Sequence, residues 1–334
     1  MRNYFLTGLS GYLGHALLDI LNKEKDIRIY ALILPNDKYR DELISRGVNI
    51  IEGDLLNKED VSYFLNQKVE GEKIVIHIAG RISTVKRNDP LTTKINVEGT
   101  KNILDRSIEN HIDKFIYISS VDALDRQTGN HLIYEQETYD VNKVDGVYSK
   151  SKVEANNYVL SRKDDIYSII IMPSALIGPN DTFHSPINDA IRMYLKGKMP
   201  AIVKGGYNLV DVRDVANGIY QASIKGKRSN SYILGGTYIS VKGLMDMCKE
   251  VTNGKKVKFI VPHFIIKLIS PFIELDAKIK HKKPLFTGFS MDCLKQNSNY
   301  SSKKAEDELG YHIRELKESI IDTIKYIQNE KAPS

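Results

Sequence analysis

The sequence predicts an α/β fold: a doubly wound parallel sheet in the first half, followed by a smaller C-terminal α/β lobe. Three observations carry that expectation. Short β-branched runs alternate with segments of helical periodicity, the signature of βαβ units. Several of these runs are apolar on consecutive residues, as strands are when helices cover both faces of a sheet. A glycine-rich turn stands between the first run and the first helical pattern, where side chains would block close approach to the backbone. The 334 residues suffice for one large α/β domain, or for a domain of usual size with a smaller lobe.

Strands are expected at residues 4–7, 27–34, 48–52, 74–78, 115–119 and 167–172, with helices near 13–23, 58–65, 92–110 and 149–162. After Pro173 the alternation fades, and Gly/Pro punctuation enters at Gly178, Pro179, Gly205, Gly206, Gly235 and Gly236. That change divides the chain into residues 1–173, with further core segments near 205–235, and residues 174–334, mainly the second lobe. Helices near 185–196, 241–252 and 313–329 belong to that lobe, as does an interrupted apolar stretch at 259–275.

Composition narrows the function classes. Hydrophobic content of 42% with 27% charge is ordinary for a soluble globular chain. A net charge of +6 without clustered basic and aromatic residues gives no reason to invoke nucleic acid. Cys248 and Cys293 are the two cysteines, far apart and outside any Cys/His cluster, so neither a disulfide framework nor a metal site is signalled. The apolar run begins at once after Met1, Arg2 and Asn3, leaving no room for a signal peptide, and Pro262, Lys267 and Pro271 interrupt the longest apolar stretch. A cytoplasmic chain without a membrane span is expected.

Thr7, Gly8, Gly11 and Gly14 form a Gly-x-x-Gly-x-x-Gly turn that runs into a helix through Tyr12 and Leu13. Glycine allows the tight turn and close phosphate approach, while the helix N-terminus offers free N–H groups and a positive dipole end. A Rossmann-type pyrophosphate site is the reading. At the end of the second strand an acid would select the ribose hydroxyls of NAD, and a base the 2′-phosphate of NADP. Leu34 stands there, with Asp37 and Lys38 arguing in opposite directions, and the balance leans to NAD.

Tyr-x-x-x-Lys occurs five times, at Tyr139/Lys143, Tyr148/Lys152, Tyr194/Lys198, Tyr238/Lys242 and Tyr300/Lys304. Context singles out Tyr148 and Lys152, which follow a strand ending in Ser119 and Ser120 and open a helix that puts phenol and ammonium on one face. A nearby positive charge is expected to pull the phenol toward working pH, so that Tyr148 exchanges a proton with a substrate oxygen. Ser120, with Ser119 as the fallback, would hold that oxygen.

These segments together resemble the extended short-chain dehydrogenases/reductases, and the resemblance covers most of the chain. Asp54 and Leu55 stand where that family contacts adenine. His77-Ile78-Ala79-Gly80 resembles its His-x-Ala-Gly, and Asn96-Val97-Glu98-Gly99-Thr100 its Asn-Val-x-Gly-Thr. Residues 172–179 resemble its Arg-Pro-x-x-Val-Tyr-Gly-Pro, with Met172 in place of Arg and Ile177 in place of Tyr. The resemblance implies catalysis by Ser120, Tyr148 and Lys152. It implies a cofactor site of Thr7, Gly8, Gly11, Tyr12, Leu13, Gly14, Leu34, Asp54, Leu55, Ala79, Gly80, Asn96, Tyr148, Lys152, Pro173 and Ala175, with Lys152 also bonding the nicotinamide ribose. His77 and Asp214 read as structural.

The closest branch by resemblance is that of dihydroflavonol reductases and 3β-hydroxysteroid dehydrogenases, because of the apolar stretch and of residues 283–287. It implies hydride transfer between NAD(P) and a ketone, aldehyde or secondary alcohol, with a small hydrophobic molecule as substrate. The alternative is a nucleotide-sugar epimerase or dehydratase with tightly held NAD, its diphosphate met by Arg192, Lys196, Lys198, Lys204 and the 278–283 run. A non-catalytic NAD(P)-binding regulator would have no use for Ser120, Tyr148 and Lys152. By the same resemblance the helices at 92–110 and 149–162 imply a homodimer.

Overall fold

The computed structural model describes residues 1–126, 129–199, 201–255, 257, 259–262, 265 and 292–330. Most of the apolar stretch at 259–275, the basic run at 278–283 and the 283–287 segment therefore lie outside the described residues.

Seven parallel strands make the main sheet: β1 (Arg2–Thr7), β2 (Ile27–Ile33), β3 (Asn49–Glu52), β4 (Glu72–His77), β5 (Lys114–Ile118), β6 (Ser168–Pro173) and, from beyond the sixth unit, β10 (Asn230–Leu234). Their order is β3-β2-β1-β4-β5-β6-β10. Chain direction reverses its progress between β1 and β4, the crevice where open α/β sheets bind ligands. Within the expected pattern the structure shifts strand ends by one or two residues.

Two apolar layers sandwich the sheet. On one face, Leu13, Leu17 and Leu21 of α1 (Tyr12–Leu21) pack with Val215, Ala216 and Ile219 of α8 (Val212–Lys225). On the other, α3 (Lys58–Leu65), α5 (Thr100–Glu109) and α6 (Val147–Ser161) bury Phe64, Ile103, Val153 and Val159 against Phe115 and Tyr117. Strand alternation explains the sorting: Phe115 and Tyr117 of β5 face α6, while Ile116 and Ile118 face the opposite layer. The helix expected at 92–110 begins earlier, as α4 (Pro90–Thr93), and passes through a π-helical turn, Lys94–Gly99, before α5. A short α2 (Arg40–Ser45) was not expected from the sequence.

The lobe has its own core of Ile177, Ile191, Leu244, Cys248, Ile320 and Ile324. These come from β7 (Ala175–Ile177), α7 (Pro186–Leu195), α9 (Val241–Thr252) and the final helix α11 (Leu316–Asn329). A small sheet β11-β9-β7 joins β9 (Gly206–Asp211) and β11 (Thr237–Ser240), and β8 (Ala201–Val203) pairs with β12 (Phe259–Val261). The Ser-rich stretch after Tyr300 forms α10 (Lys303–Leu309), whose Ala305 and Leu309 return to the main core. Among the described residues no helix is long and apolar enough to cross a membrane.

Candidate functional site

The expected site residues gather at the C-terminal edge of the main sheet. Gly8 lies at φ +76, and a Cβ there would stand 2.5 Å from the Ala79 backbone nitrogen, so the loop after β1 presses against the loop after β4. At Gly14 a Cβ would meet the Gly8 carbonyl oxygen at 2.4 Å. Gly11 is the N-cap of α1 and supplies no side-chain cap. The helix thus opens toward the crevice with free N–H groups, a cradle that fits an anionic diphosphate. Tyr12 and Leu13 begin α1, Leu13 in the core and Tyr12 with its buried hydroxyl beside Gly178.

Behind the loop runs a hydrogen-bond chain. Thr100 donates to the Asn96 carbonyl (2.7 Å), so its oxygen accepts from His77 Nε2 (3.0 Å), leaving Nδ1 to accept from the Thr7 hydroxyl (2.6 Å). This assigns one neutral tautomer to a histidine with no exposure. Burial, then the Lys152 charge, pushes its pKa down to about 3. His77 is structural, as expected. Asn96 sits on the π-helical turn, which turns its side chain inward: Oδ1 accepts from Arg81 N (2.8 Å), and Nδ2 donates to the Arg81 carbonyl (3.0 Å) and Ser151 Oγ (2.9 Å). Ser151 in turn donates to the Tyr148 carbonyl (2.7 Å). Ser151 ties Asn96 to α6 and Thr100 ties His77 of β4 to α5, and neither link is legible in the sequence because each crosses the chain.

Ser120 ends the β5 segment and caps a 3-10 turn, its hydroxyl accepting from Asp122 N (3.1 Å). Tyr148 lies one residue into α6, after Gly146 at φ +89. The expectation that Lys152 pulls the Tyr148 phenol down in pKa is corrected here. Burial raises it, and the opposing pull comes from a side-chain hydrogen bond with Ser120. Lys152 is itself only 3% exposed, donates to the Ile118 carbonyl (2.8 Å), and burial brings its pKa down to about 7. Gly80 joins this group: a Cβ there would stand 3.3 Å from Asn96 Oδ1 and 3.5 Å from Lys152 Nζ. The serine, tyrosine and lysine can pass a proton to or from an oxygen held at the mouth of the crevice.

The remaining expected positions occupy the same edge. Leu34 follows β2 and is 59% exposed. Asp54 follows β3, with its carboxylate accepting from Leu56 N (2.9 Å), and Leu55 packs under Gly99. Pro173 ends β6 and Ala175 starts β7. Nearby charges are engaged within the fold: Asp37 accepts from Tyr39 N (2.9 Å), Arg40 donates to Glu52 (2.7 Å), and the Lys38 ammonium lies over the Tyr39 ring. The other Tyr-x-x-x-Lys pairs lack this setting. Tyr139 is buried against Ser231, Tyr194 bonds the Lys255 carbonyl, Tyr238 lies on a half-exposed strand, and the Lys304 ammonium lies over Tyr232.

Arg192 does not serve as a free cation. It is 5% exposed and donates to Glu330 (Nη2, 2.5 Å), Asp189 (3.0 Å) and the Asp181 carbonyl (2.7 Å), a structural clamp across the lobe. Asp214 likewise accepts from Arg314 N (2.9 Å) and Nε (2.8 Å), tying α8 to the segment before α11. Among the described residues no cluster of His, Cys, Asp and Glu could hold a metal ion.

Residues 5–238 match the model of the 3-beta hydroxysteroid dehydrogenase/isomerase family. A Synechocystis sp. protein with the provisional name dihydroflavonol 4-reductase is 30% identical over 98% of this chain and 94% of its own. The Schizosaccharomyces pombe sterol-4-alpha-carboxylate 3-dehydrogenase erg26, decarboxylating, is 25% identical over 96% of each. Of solved structures, that of gox2253 superposes with a TM-score of 0.82 at 30% identity over 97% of both chains. The Thermotoga maritima UDP-glucose 4-epimerase superposes with a TM-score of 0.77 at 18% identity over 98% of both, a likeness of fold.

Proposed function

We propose that the chain, which belongs to the 3-beta hydroxysteroid dehydrogenase/isomerase family within the extended short-chain dehydrogenases/reductases and is an NAD(P)-dependent oxidoreductase, moves hydride between the nicotinamide and a ketone, aldehyde or secondary alcohol, with Tyr148 as the acid and base. The observation that carries this reading is the convergence of Ser120, Tyr148 and buried Lys152 beside the glycine loop.

The nicotinamide supplies or receives the hydride when bound; the chain's own residues do the rest. Thr7, Gly8, Gly11, Tyr12, Leu13 and Gly14 would hold the pyrophosphate, with Leu34, Asp54 and Leu55 toward the adenosine. Ala79, Gly80, Asn96, Pro173 and Ala175 would line the path to the reacting end. Ser120 donates a hydrogen bond to the substrate oxygen and fixes it near Tyr148. Tyr148 gives that oxygen its proton in reduction and takes it back in oxidation. Lys152 brings positive charge to the developing phenolate and holds the ribose. NAD is favoured over NADP, because Leu34 brings no guanidinium to the strand end and Lys38 and Arg40 are engaged with neighbours.

Residues 1–173, with segments near 205–235, would form the cofactor domain, and 174–334 mainly the substrate lobe. A homodimer through α5 and α6 completes the proposal. The alternative, a nucleotide-sugar epimerase or dehydratase, loses support at Arg192, whose charge is matched inside the lobe. Screening hydrophobic carbonyls, including dihydroflavonols and 3-oxosteroids, against UDP- and dTDP-sugars tests the choice. Net NAD(P)H oxidation with a carbonyl supports the reductase; sugar conversion without net redox overturns it.

A further inference from the structure

Lys152 is buried without a carboxylate partner among the described residues, and one carbonyl fills one of its three donors. Gly80 flanks the ammonium, a Cβ there standing 3.5 Å from Nζ, and two aromatic rings face it as well. The Tyr117 ring centroid lies 4.8 Å from Nζ, and that of Tyr148 lies 6.0 Å away. Tyr117 comes from β5, Tyr148 from the lysine's own helix, and beyond Tyr117 lies His77 of β4.

The arrangement follows from sheet geometry. Register pairs His77 with Tyr117, and the two rings stack with centroids 5.7 Å apart at 26°. His77 is fixed from both sides by Thr7 and Thr100, so it holds the Tyr117 ring in one orientation. A neutral imidazole, a phenol ring and an ammonium thus form a stack beneath the proton-transfer site. An aliphatic residue at 117 would offer the ammonium no electron-rich face.

We infer that Tyr117 is a positioning residue whose ring face seats and stabilises the Lys152 ammonium, with His77 holding that ring in place. The seat acts through Lys152 on the proton device proposed above and therefore rests on that reading for its catalytic meaning. It offsets part of the burial cost that brings Lys152 down to about 7. The Tyr117 hydroxyl has no part in this.

The test needs neither substrate nor cofactor, so its outcome is separate from that of the dehydrogenase assignment. The full chain labelled with 13C-lysine is titrated by NMR, the Lys152 Cε resonance being identified by its loss in Lys152→Met. Tyr117→Phe should leave the midpoint within about 0.3 pH unit, since the ring face remains. Site-specific replacement of Tyr117 by Phe, 4-fluoro-Phe and 3,4,5-trifluoro-Phe keeps the shape while draining the ring face. The midpoint should fall stepwise along that series, by roughly one pH unit in all. A flat series, or a fall already complete in Tyr117→Phe, overturns the proposal. Tyr117→Leu adds a second arm: a midpoint equal to that of the wild-type chain would overturn it as well.

Discussion

Replacing Lys152 by Met should stabilise the chain at and below neutral pH while removing its activity. An ordinary lysine titrates near 10.5, and burial brings this one to about 7. At about 1.4 kcal/mol per pH unit that difference is about 5 kcal/mol. Below pH 7 the amine is protonated in both folded and unfolded chains, and the folded chain bears the whole cost. Between 7 and 10.5 the unfolded chain keeps the proton that the folded one has shed, so the stability of the unmodified chain rises with pH through this window. Above 10.5 the difference is gone. Methionine fills similar space without charge but strands the Ile118 carbonyl that Lys152 now serves at 2.8 Å, a loss of about 1 kcal/mol. The net gain is then about 3–4 kcal/mol at pH 6, shrinking to a small loss near pH 11. Denaturant midpoints of both chains, taken without cofactor at pH 6, 7.5, 9 and 10.5, measure it. A Lys152→Met chain that is less stable at pH 6, or whose offset does not change with pH, refutes the reasoning.

Other outcomes follow from the same geometry. Tyr148→Phe should lower turnover by roughly 10²–10⁴ with cofactor affinity unchanged, read by steady-state assay and nicotinamide fluorescence; retained turnover would remove Tyr148 from the chemistry. Gly8→Ala places a Cβ 2.5 Å from Ala79 N at φ +76, and should cost about 2–4 kcal/mol of stability together with most NAD(P)H binding. Leu34→Arg should raise NADPH affinity relative to NADH by roughly 10- to 100-fold, since a charge-assisted bond to a 2′-phosphate becomes available; an unmoved ratio would mean that another segment meets the ribose. A homodimer through α5 and α6 should show twice the chain mass by light scattering, and would cover Tyr158, Asp105 and Arg162, now bonded to one another.

The alternation of runs made the sheet legible, because each central strand is buried on both faces and cannot hide its apolar sequence. Short elements escaped for the opposite reason. α2 buries Leu43 alone, so six residues carry no periodicity, and α10 lies in a serine-rich stretch whose apolar contacts are Ala305 and Leu309. The π-helical turn was equally hidden, since Asn96 is drawn inward by the Arg81 backbone, a partner the local pattern does not contain.

Charge was the least legible property. Arg192 reads from the sequence as a surface cation available to a diphosphate, yet Glu330 reaches it from the far end of the chain and the pair closes the lobe. Lys152 shows the converse. Its spacing from Tyr148 correctly puts both groups on one helix face, but spacing says nothing of the depth that brings its pKa down to about 7, nor of the carbonyl and the Tyr117 ring that meet its ammonium. A motif of this kind therefore specifies which groups meet, while the surrounding fold specifies how deeply they are buried. If Tyr117 seats the ammonium as proposed, two family members with the same Tyr and Lys should differ in working pH through the residue that stands at 117, three positions before the serine.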